Sequence, residues 1–234
     1  MTLLTKGDGG APIVKGDWFA YSAPFGREGL PDSAFRNRLV IDDTQKPETP
    51  FSSARIEWYQ PMETRKGNAP RGYLHIGRDR YGDVRRNLGT VRRLSEVKRY
   101  DMTVKWTDAT IHGERNMLYD AFLLREPDKG DHALELMVFL DPSPSATRYL
   151  QKGKRLADFG EWQVWQPSQS SIALTVGYPV YKTTIKPTDI LKWAETQGVG
   201  TQHLYWPGDA VGVEPISGAG SVFFKALGGK VAPG

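Results

Sequence analysis

A repeat of two residues constrains the fold of this chain more than any other feature. The segment LELMVFL, residues 134–140, is the most apolar stretch, and every second residue in it is aliphatic. In an extended strand successive side chains point to opposite faces. One face would consist of Leu134, Leu136, Val138 and Leu140, and the other of Glu135, Met137 and Phe139.

Short segments with the same character recur along the chain and predict further strands. They lie at Trp18–Tyr21, Ala54–Trp58, Tyr100–Trp106, Leu118–Leu124, Glu161–Trp165, Ile172–Val176, Val211–Glu214 and Ser221–Leu227. Clusters such as EPDKGDH, DPSPS and QPSQSS separate them and have the composition of turns. Many short strands with frequent turns predict an all-β sandwich or barrel.

One helix is predicted, in the segment ILKWAETQ that follows Pro187. Thr188 or Asp189 would cap its start, and Gly198 would end it. Its apolar stripe should pack on the outer face of a sheet, with Trp193 more plausible as a core residue than as a ligand contact.

The 234 residues contain 39% hydrophobic residues, 11% aromatic residues and no cysteine. We therefore expect one domain over residues 1–234, with loosely ordered ends at about 1–14 and 229–234. Disulfides and thiolate metal sites are excluded. No apolar run reaches the roughly 18 residues of a membrane span, so no membrane partner is expected.

Basic residues are concentrated between Arg78 and Lys105, in a chain with a formal charge of +4. A nucleic-acid-binding surface can have this composition. Because acidic residues are interleaved and no known nucleic-acid module surrounds the segment, we interpret it as a solvated outer face.

Several catalytic classes lack support in the sequence. The four histidines have no metal-ligand spacing, and no GxSxG motif is present. The glycine-rich segment GVEPISGAG does not open a helix after a strand, as a phosphate loop would. No metal or organic cofactor is therefore expected.

Two glutamates remain as candidates. Glu135 interrupts the most apolar strand, and Glu214 ends a short apolar strand before Pro215. Each taken alone is compatible with a solvent-facing glutamate at a strand surface or strand end. Glycoside hydrolysis, however, needs two carboxyl groups across one cleft.

The segments ELMVFL and GVEPISGAG resemble the two catalytic strands of glycoside hydrolase family 12. Further segments of the resemblance follow in the family's order over roughly residues 70–226. In chain order they are RLSEVKRYDMTVKW, NMLYDAFLL, LELMVFL, FGEWQVW, the predicted helix and GVEPISGAG. The resemblance implies a two-sheet β-jelly-roll sandwich with one α-helix on its outer face.

By position, the resemblance implies that Glu135 is the nucleophile and Glu214 the general acid/base. Asp120 would be the carboxyl beside the nucleophile, and it can share a proton or a hydrogen bond with Glu135. Met137 would line the floor near the cleavage point.

This chain departs from the family pattern at three places. Phe139 stands where the family commonly has tryptophan. The family's Asn-x-Trp-Gly pattern corresponds here to APFG, residues 23–26, so Phe25 would be the counterpart of its sugar-stacking residue in a distal subsite. The family's Lys-Ser-Tyr-Pro-like segment appears as RGYLH, residues 71–75. Further aromatic residues that we expect at the walls of the cleft are Trp58, Tyr59, Tyr73 and Trp162.

The sequence thus predicts a retaining endo-β-1,4-glucanase that acts on a β-glucan-type polysaccharide. We expect a monomer without nucleic-acid partners, secreted after removal of a signal peptide, with a cytoplasmic location as the alternative. A non-catalytic polysaccharide-binding sandwich and a xylanase of the sister jelly-roll family are the rival interpretations. Carboxyl groups about 5–5.5 Å apart would indicate retention of anomeric configuration.

Overall fold

The described strands of this protein form two sheets. The computed structural model describes residues 3–27, 30–42, 51–60, 69–83 and 91–233. In chain order the strands are β1 (Leu3–Lys6), β2 (Ile13–Lys15), β3 (Trp18–Ala23), β4 (Arg38–Asp42), β5 (Arg55–Gln60), β6 (Tyr73–Arg78), β7 (Arg92–Arg93), β8 (Val97–His112), β9 (Arg115–Leu124), β10 (His132–Asp141), β11 (Lys154–Arg155), β12 (Gln163–Ser168), β13 (Ser171–Thr175), β14 (Lys182–Ile185), β15 (Tyr205–Trp206), β16 (Ala210–Pro215) and β17 (Gly218–Pro233). The helices are α1 (Pro144–Gln151) and α2 (Pro187–Thr196), and short 3-10 turns lie at Asp32–Ala34, Tyr81–Asp83 and Leu94–Glu96.

The two sheets differ in size. Within the described residues the smaller sheet has six strands in the order β1-β4-β5-β17-β8-β14. In the same part of the chain the larger sheet has eleven strands, nine of them in the order β11-β12-β13-β10-β9-β16-β6-β3-β2, with β7 and β15 beside this path. Strands β10 and β13 run parallel, and β10, β9 and β16 are successive antiparallel neighbours. The prediction of an all-β, two-sheet sandwich is therefore confirmed.

The main core lies between the sheets. Strand β10 contributes Leu134, Leu136, Val138 and Leu140 to it, all nearly inaccessible to solvent. Met137 and Phe139 belong instead to a second apolar cluster, on the opposite face of the larger sheet. We call that face the cavity face. The alternation in LELMVFL thus separates the core from the cavity face, as the sequence predicted.

The other predicted strand segments also coincide with strands, with shifted ends. Gln163 and not Glu161 begins β12, for example. The pattern missed several short strands, including β4, β6 and β14. The stretches expected to be loosely ordered contain β1, β2 and the end of β17.

Helix α2 occupies the predicted segment but begins earlier. Pro187 is its first residue, and Lys186 precedes it without a side-chain capping bond, so the predicted caps at Thr188 and Asp189 are wrong. Proline suits the first helical position because no backbone donor is needed there. Gly198 has a φ of 84° just beyond the helix, as expected of a stop.

The apolar stripe of α2 joins the core between the sheets. Ile190, Leu191 and Ala194 are buried in that core, and the helix packs on β8. Trp193 is partly buried against the same core and tilts onto Phe159, with ring centroids 5.6 Å apart.

Helix α1 corrects the prediction of a single helix. The segment DPSPS, interpreted as a turn, contains its start: Ser143 caps the helix by accepting a 3.1 Å hydrogen bond from the amide of Ala146. Pro144 occupies the first helical position. Serine before proline is thus a helix start here, and the eight-residue helix is too short for a strong periodic signal.

The basic segment 78–105 is not entirely a solvated face. Arg78 is buried, and its Nε donates to Oδ1 of the equally buried Asp209 at 2.6 Å. Although burial alone lowers the pKa of Arg78, the Asp209 carboxylate raises it overall. Lys98, Arg99 and Lys105 are exposed, whereas Arg85 and Arg86 lie outside the described residues. Arg78 is therefore a structural cation.

No helix in the described part of the chain is both long and apolar enough to cross a membrane.

Candidate active site

Three adjacent strands place three carboxyl groups on the cavity face. Asp120 on β9 lies opposite Met137 of β10 on one side and opposite Ala210 of β16 on the other. Glu135 is two residues from Met137 along β10, and Glu214 lies opposite Asn116 on β9. Because side chains alternate, residues two or four positions apart on one strand share a face.

Strand packing requires a glycine near Glu214. A Cβ added at Gly212 would lie 2.1 Å from the carbonyl oxygen of Leu74 on the neighbouring strand β6. Gly212 is also on the cavity face, two residues before Glu214. The glycine of GVEP therefore allows β6 and β16 to pack closely beside the acidic residue.

A cavity of about 440 Å³ opens on this face and contains both glutamates. Met137 and Phe139 form part of its lining. The remaining lining residues are Ala69, Pro70, Asn116, Ser145, Ala146, Tyr149 and Ile216. Two carboxyl groups in a largely apolar cavity have the composition needed for acid–base chemistry on a bound ligand.

Burial gives Glu214 the properties of an acid. Its pKa rises from 4.5 to about 7, first because burial disfavours the charged form and further because the Glu135 carboxylate is nearby. The amide Nδ2 of Asn116 donates a 2.9 Å hydrogen bond to Glu214 Oε2, which lowers the pKa in part. Glu214 can therefore hold a proton near neutral pH and still release it.

Asp120 and Glu135 interact as a pair. Burial raises the pKa of Asp120 well above its usual range, and the Glu135 carboxylate raises it further. The hydroxyl of Tyr81 opposes this shift by donating a 2.5 Å hydrogen bond to Asp120 Oδ2. Burial also raises the pKa of Glu135. Two close carboxyl groups of this kind favour a state in which one of them is protonated.

Tyr81 and Asn116 are site residues that the sequence reasoning missed. Tyr81 lies in a 3-10 turn, where strand periodicity gives no information about side-chain direction. Asn116 could have been found, because it is four residues before Asp120 on the same strand and therefore on the same face. Its amide also accepts a 2.9 Å hydrogen bond from the backbone of Ser143, the residue that caps α1.

The structure separates the predicted wall residues into two groups. Tyr73 belongs to the cavity-face cluster, and its ring stacks on His75 with centroids 4.6 Å apart. Phe25 is 45% exposed, and its neighbour Gly26 packs on Pro70, a residue of the cavity lining. Tyr73 is buried, and neither Tyr73 nor Phe25 is among the residues that line the cavity.

Trp58, Tyr59 and Trp162 do not lie at the cavity. Trp58 is buried in the core between the sheets, so its alternating neighbour Tyr59 points away from that core on the smaller sheet. Trp162 is partly buried against the same core. The placement of these three residues at the cleft walls is therefore wrong. The sequence alone does not reveal which of the two sheets a strand that carries a tryptophan joins.

Other aromatic residues occupy the cavity face instead. Tyr21, Phe122 and Trp165 are partly buried and pack against its apolar cluster. Trp165 follows Val164 on β12 and therefore points to the opposite face of that strand. Alternation with the core residue Val164 could have identified it.

His75 is held neutral beneath these rings. Burial lowers its pKa to about 4, and its Nδ1 is 3.0 Å from the carbonyl oxygen of Tyr73. Edge-on contacts to Phe19, Tyr21 and Tyr81 enclose the imidazole. His75 therefore supports the aromatic floor as a neutral side chain over most of the pH range.

Several solved structures with a similar fold are glycoside hydrolases. Endoglucanase 3 of Trichoderma harzianum, from family GH12, has a TM-score of 0.76 and 14% identity over 98% of each chain. A family 12 xyloglucanase from Bacillus licheniformis in complex with ligand has a TM-score of 0.75 and 13% identity, over 99% of this chain and 100% of that one. The catalytic domain of Humicola grisea Cel12A in complex with a soaked thio cellotetraose has a TM-score of 0.72 and 16% identity over 99% of each.

Scans of the sequence against family models and against curated proteins give no match. The chain therefore has the β-jelly-roll fold of the family 12 enzymes, with a sequence that has diverged far from theirs.

Proposed function

We propose that this protein is a divergent family 12 glycoside hydrolase, a retaining endo-acting enzyme that cleaves internal β-1,4-glucosidic bonds of a β-glucan. One observation carries the proposal: Glu135 and Glu214 line a single cavity, and burial raises the pKa of Glu214 to about 7. The shared fold and the ordered sequence resemblance support the same assignment.

In the first step Glu135 attacks the anomeric carbon as a carboxylate. The bond between that carbon and the leaving oxygen breaks, and protonated Glu214 gives its proton to the oxygen. A covalent glycosyl ester of Glu135 results. In the second step Glu214 takes a proton from water, the water oxygen attacks the same carbon, and Glu135 leaves as a carboxylate.

Asp120 acts on Glu135 and not on the sugar. When Asp120 retains the shared proton, Glu135 is free to ionise and attack. Tyr81 fixes Asp120 Oδ2 in place. This arrangement lets a buried glutamate act as a nucleophile although burial raises its pKa.

An endo mode of attack suits the cavity because it lies across several strands and is bounded by α1 and by the residues before β6. Polymeric glucans cannot cross a membrane, so we propose that the enzyme acts outside the cell. The structurally similar enzymes include an endoglucanase and a xyloglucanase, which makes both glucan types the first substrates to test.

The test is a reducing-sugar assay on β-glucan, carboxymethyl cellulose, xyloglucan and xylan. Wild type should cleave one or more of the glucans, and Glu135→Gln and Glu214→Gln should each lose roughly 10²–10⁴-fold in rate. Glu161→Gln is the matched control, since Glu161 is exposed and outside the cavity. NMR of the first product should show the β-anomer.

Each other outcome has a defined meaning. Activity on xylan alone would favour the sister xylanase family. Glucan binding without cleavage would favour a non-catalytic sandwich. Near-normal rates in either catalytic variant would refute the residue assignment.

A further inference from the structure

Tyr149 is an exposed aromatic side chain at the wall of the cavity. It lies on α1, is 45% exposed, and lines the same cavity as Glu135 and Glu214. Its side chain is therefore accessible to solvent at the cavity wall. An exposed ring beside a polar-and-apolar cavity is available to a ligand.

The helix that carries Tyr149 is firmly held. Ala146 and Leu150 of α1 are buried in the cavity-face cluster and anchor the helix. Ser145 Oγ donates a 2.9 Å hydrogen bond to Oε2 of Glu114, the residue just before β9. A ring with two rotatable bonds on a fixed helix loses little conformational entropy when it binds a ligand.

The position of α1 relative to Glu214 indicates which sugar the ring would meet. Asn116 donates to Glu214 through Nδ2 and accepts from the backbone of Ser143 through Oδ1. The cap of α1 is therefore linked to the acid through one side chain. In the proposed reaction Glu214 protonates the leaving oxygen. The cavity wall formed by α1, which Asn116 links to Glu214, therefore flanks the leaving part of the substrate.

From this geometry we propose that Tyr149 is a stacking platform for a sugar on the leaving-group side of the cleavage point. The inference rests on the proposed function and deepens it by assigning a specificity residue to one side of the bond. Pyranose rings present C–H faces that pack on an aromatic ring, and the exposed ring of Tyr149 offers such a surface. Pro70 also lines the cavity, but it precedes β6, whereas α1 follows β10. Strands β9 and β16 lie between β10 and β6, so Pro70 belongs to the opposite wall.

Two substrates separate the sides of the cleft. Cellotetraose needs binding on both sides of the bond, whereas β-cellobiosyl fluoride releases fluoride and leaves the leaving-group side empty. In Tyr149→Ala we expect kcat/KM on cellotetraose to fall about tenfold, the size of one well-placed aromatic contact. On β-cellobiosyl fluoride the same variant should stay within twofold of wild type.

Two control variants complete the test. Tyr149→Phe keeps the ring and should retain most activity on both substrates. Tyr178→Ala removes a tyrosine that is 57% exposed but outside the cavity lining, and it should change neither rate.

Equal losses on both substrates would overturn the assignment to the leaving-group side, and unchanged rates in Tyr149→Ala would overturn the platform itself. A wild type that cleaves neither substrate would overturn the proposed function, and this inference with it.

Discussion

The side-chain amide of Asn116 joins the acid Glu214 to helix α1. Its Nδ2 donates to Glu214 Oε2 at 2.9 Å, and its Oδ1 accepts from the Ser143 backbone at the same distance. One buried residue thereby orients the acid and fixes the wall of the cavity. The bond to Glu214 also stabilises the charged form of the carboxyl group.

Replacing Asn116 should shift the pH dependence of activity. In Asn116→Ala the pKa of Glu214 should rise above its value of about 7, because the hydrogen bond that lowers it is lost. The alkaline limb of the kcat/KM profile should move to higher pH, since the proton on Glu214 is retained longer. Ser145→Ala breaks a nearby bond to Glu114 and should leave that limb in place. An unmoved limb in Asn116→Ala would contradict this role.

The charged form of Glu214 should lower the free energy of unfolding at alkaline pH. Its folded-state pKa of about 7 is above the ordinary 4.5, so the neutral form contributes stability below pH 4.5 that is lost as pH rises through 7. Glu214→Gln should raise the free energy of unfolding at pH 8 by on the order of 2 kcal/mol. At pH 4 the gain should largely vanish. Urea unfolding of wild type and Glu214→Gln at pH 4 and pH 8 measures the difference in unfolding free energy. Equal gains at the two pH values would refute the explanation.

The buried pair of Arg78 and Asp209 should be needed for folding. Asp209→Ala leaves the Arg78 cation unpaired in the core, at a cost of about 3–5 kcal/mol in unfolding free energy. Lys129→Ala is the control, because Lys129 and Glu126 form an exposed ion pair whose loss should cost less than about 1 kcal/mol. A small effect of Asp209→Ala in chemical denaturation would show that water or another group compensates the cation.

The sequence predicted the faces of strands better than the places of side chains. Alternation alone assigns Leu136 to the core and Glu135 to the opposite face, because a strand has only two faces. The same rule would have placed Asn116 on the same face as Asp120. It cannot show whether Trp58 lies in the larger or the smaller sheet, since both sheets contribute one face to the same core.

Turns and short helices were the weakest part of the prediction. Tyr81 reaches Asp120 from a 3-10 turn, and Tyr149 reaches the cavity from an eight-residue helix that begins in a proline-rich segment. Neither element has a periodicity long enough to recognise. The pairing of Glu135 with Glu214 came from the family resemblance, because 78 residues separate them in sequence and only the strand order brings them to one cavity.

The most direct test of the account is to trap the covalent intermediate that it requires. A 2-deoxy-2-fluoro-β-cellobiosyl fluoride slows both steps, and its good leaving group lets the first proceed, so the glycosyl ester accumulates. Mass spectrometry of the digested protein should find the added fluorocellobiosyl group on the peptide containing Glu135. Glu135→Gln should remain unlabelled. An active enzyme labelled on another residue, or one that forms no covalent adduct and releases the α-anomer, would contradict the assignment of Glu135 as nucleophile.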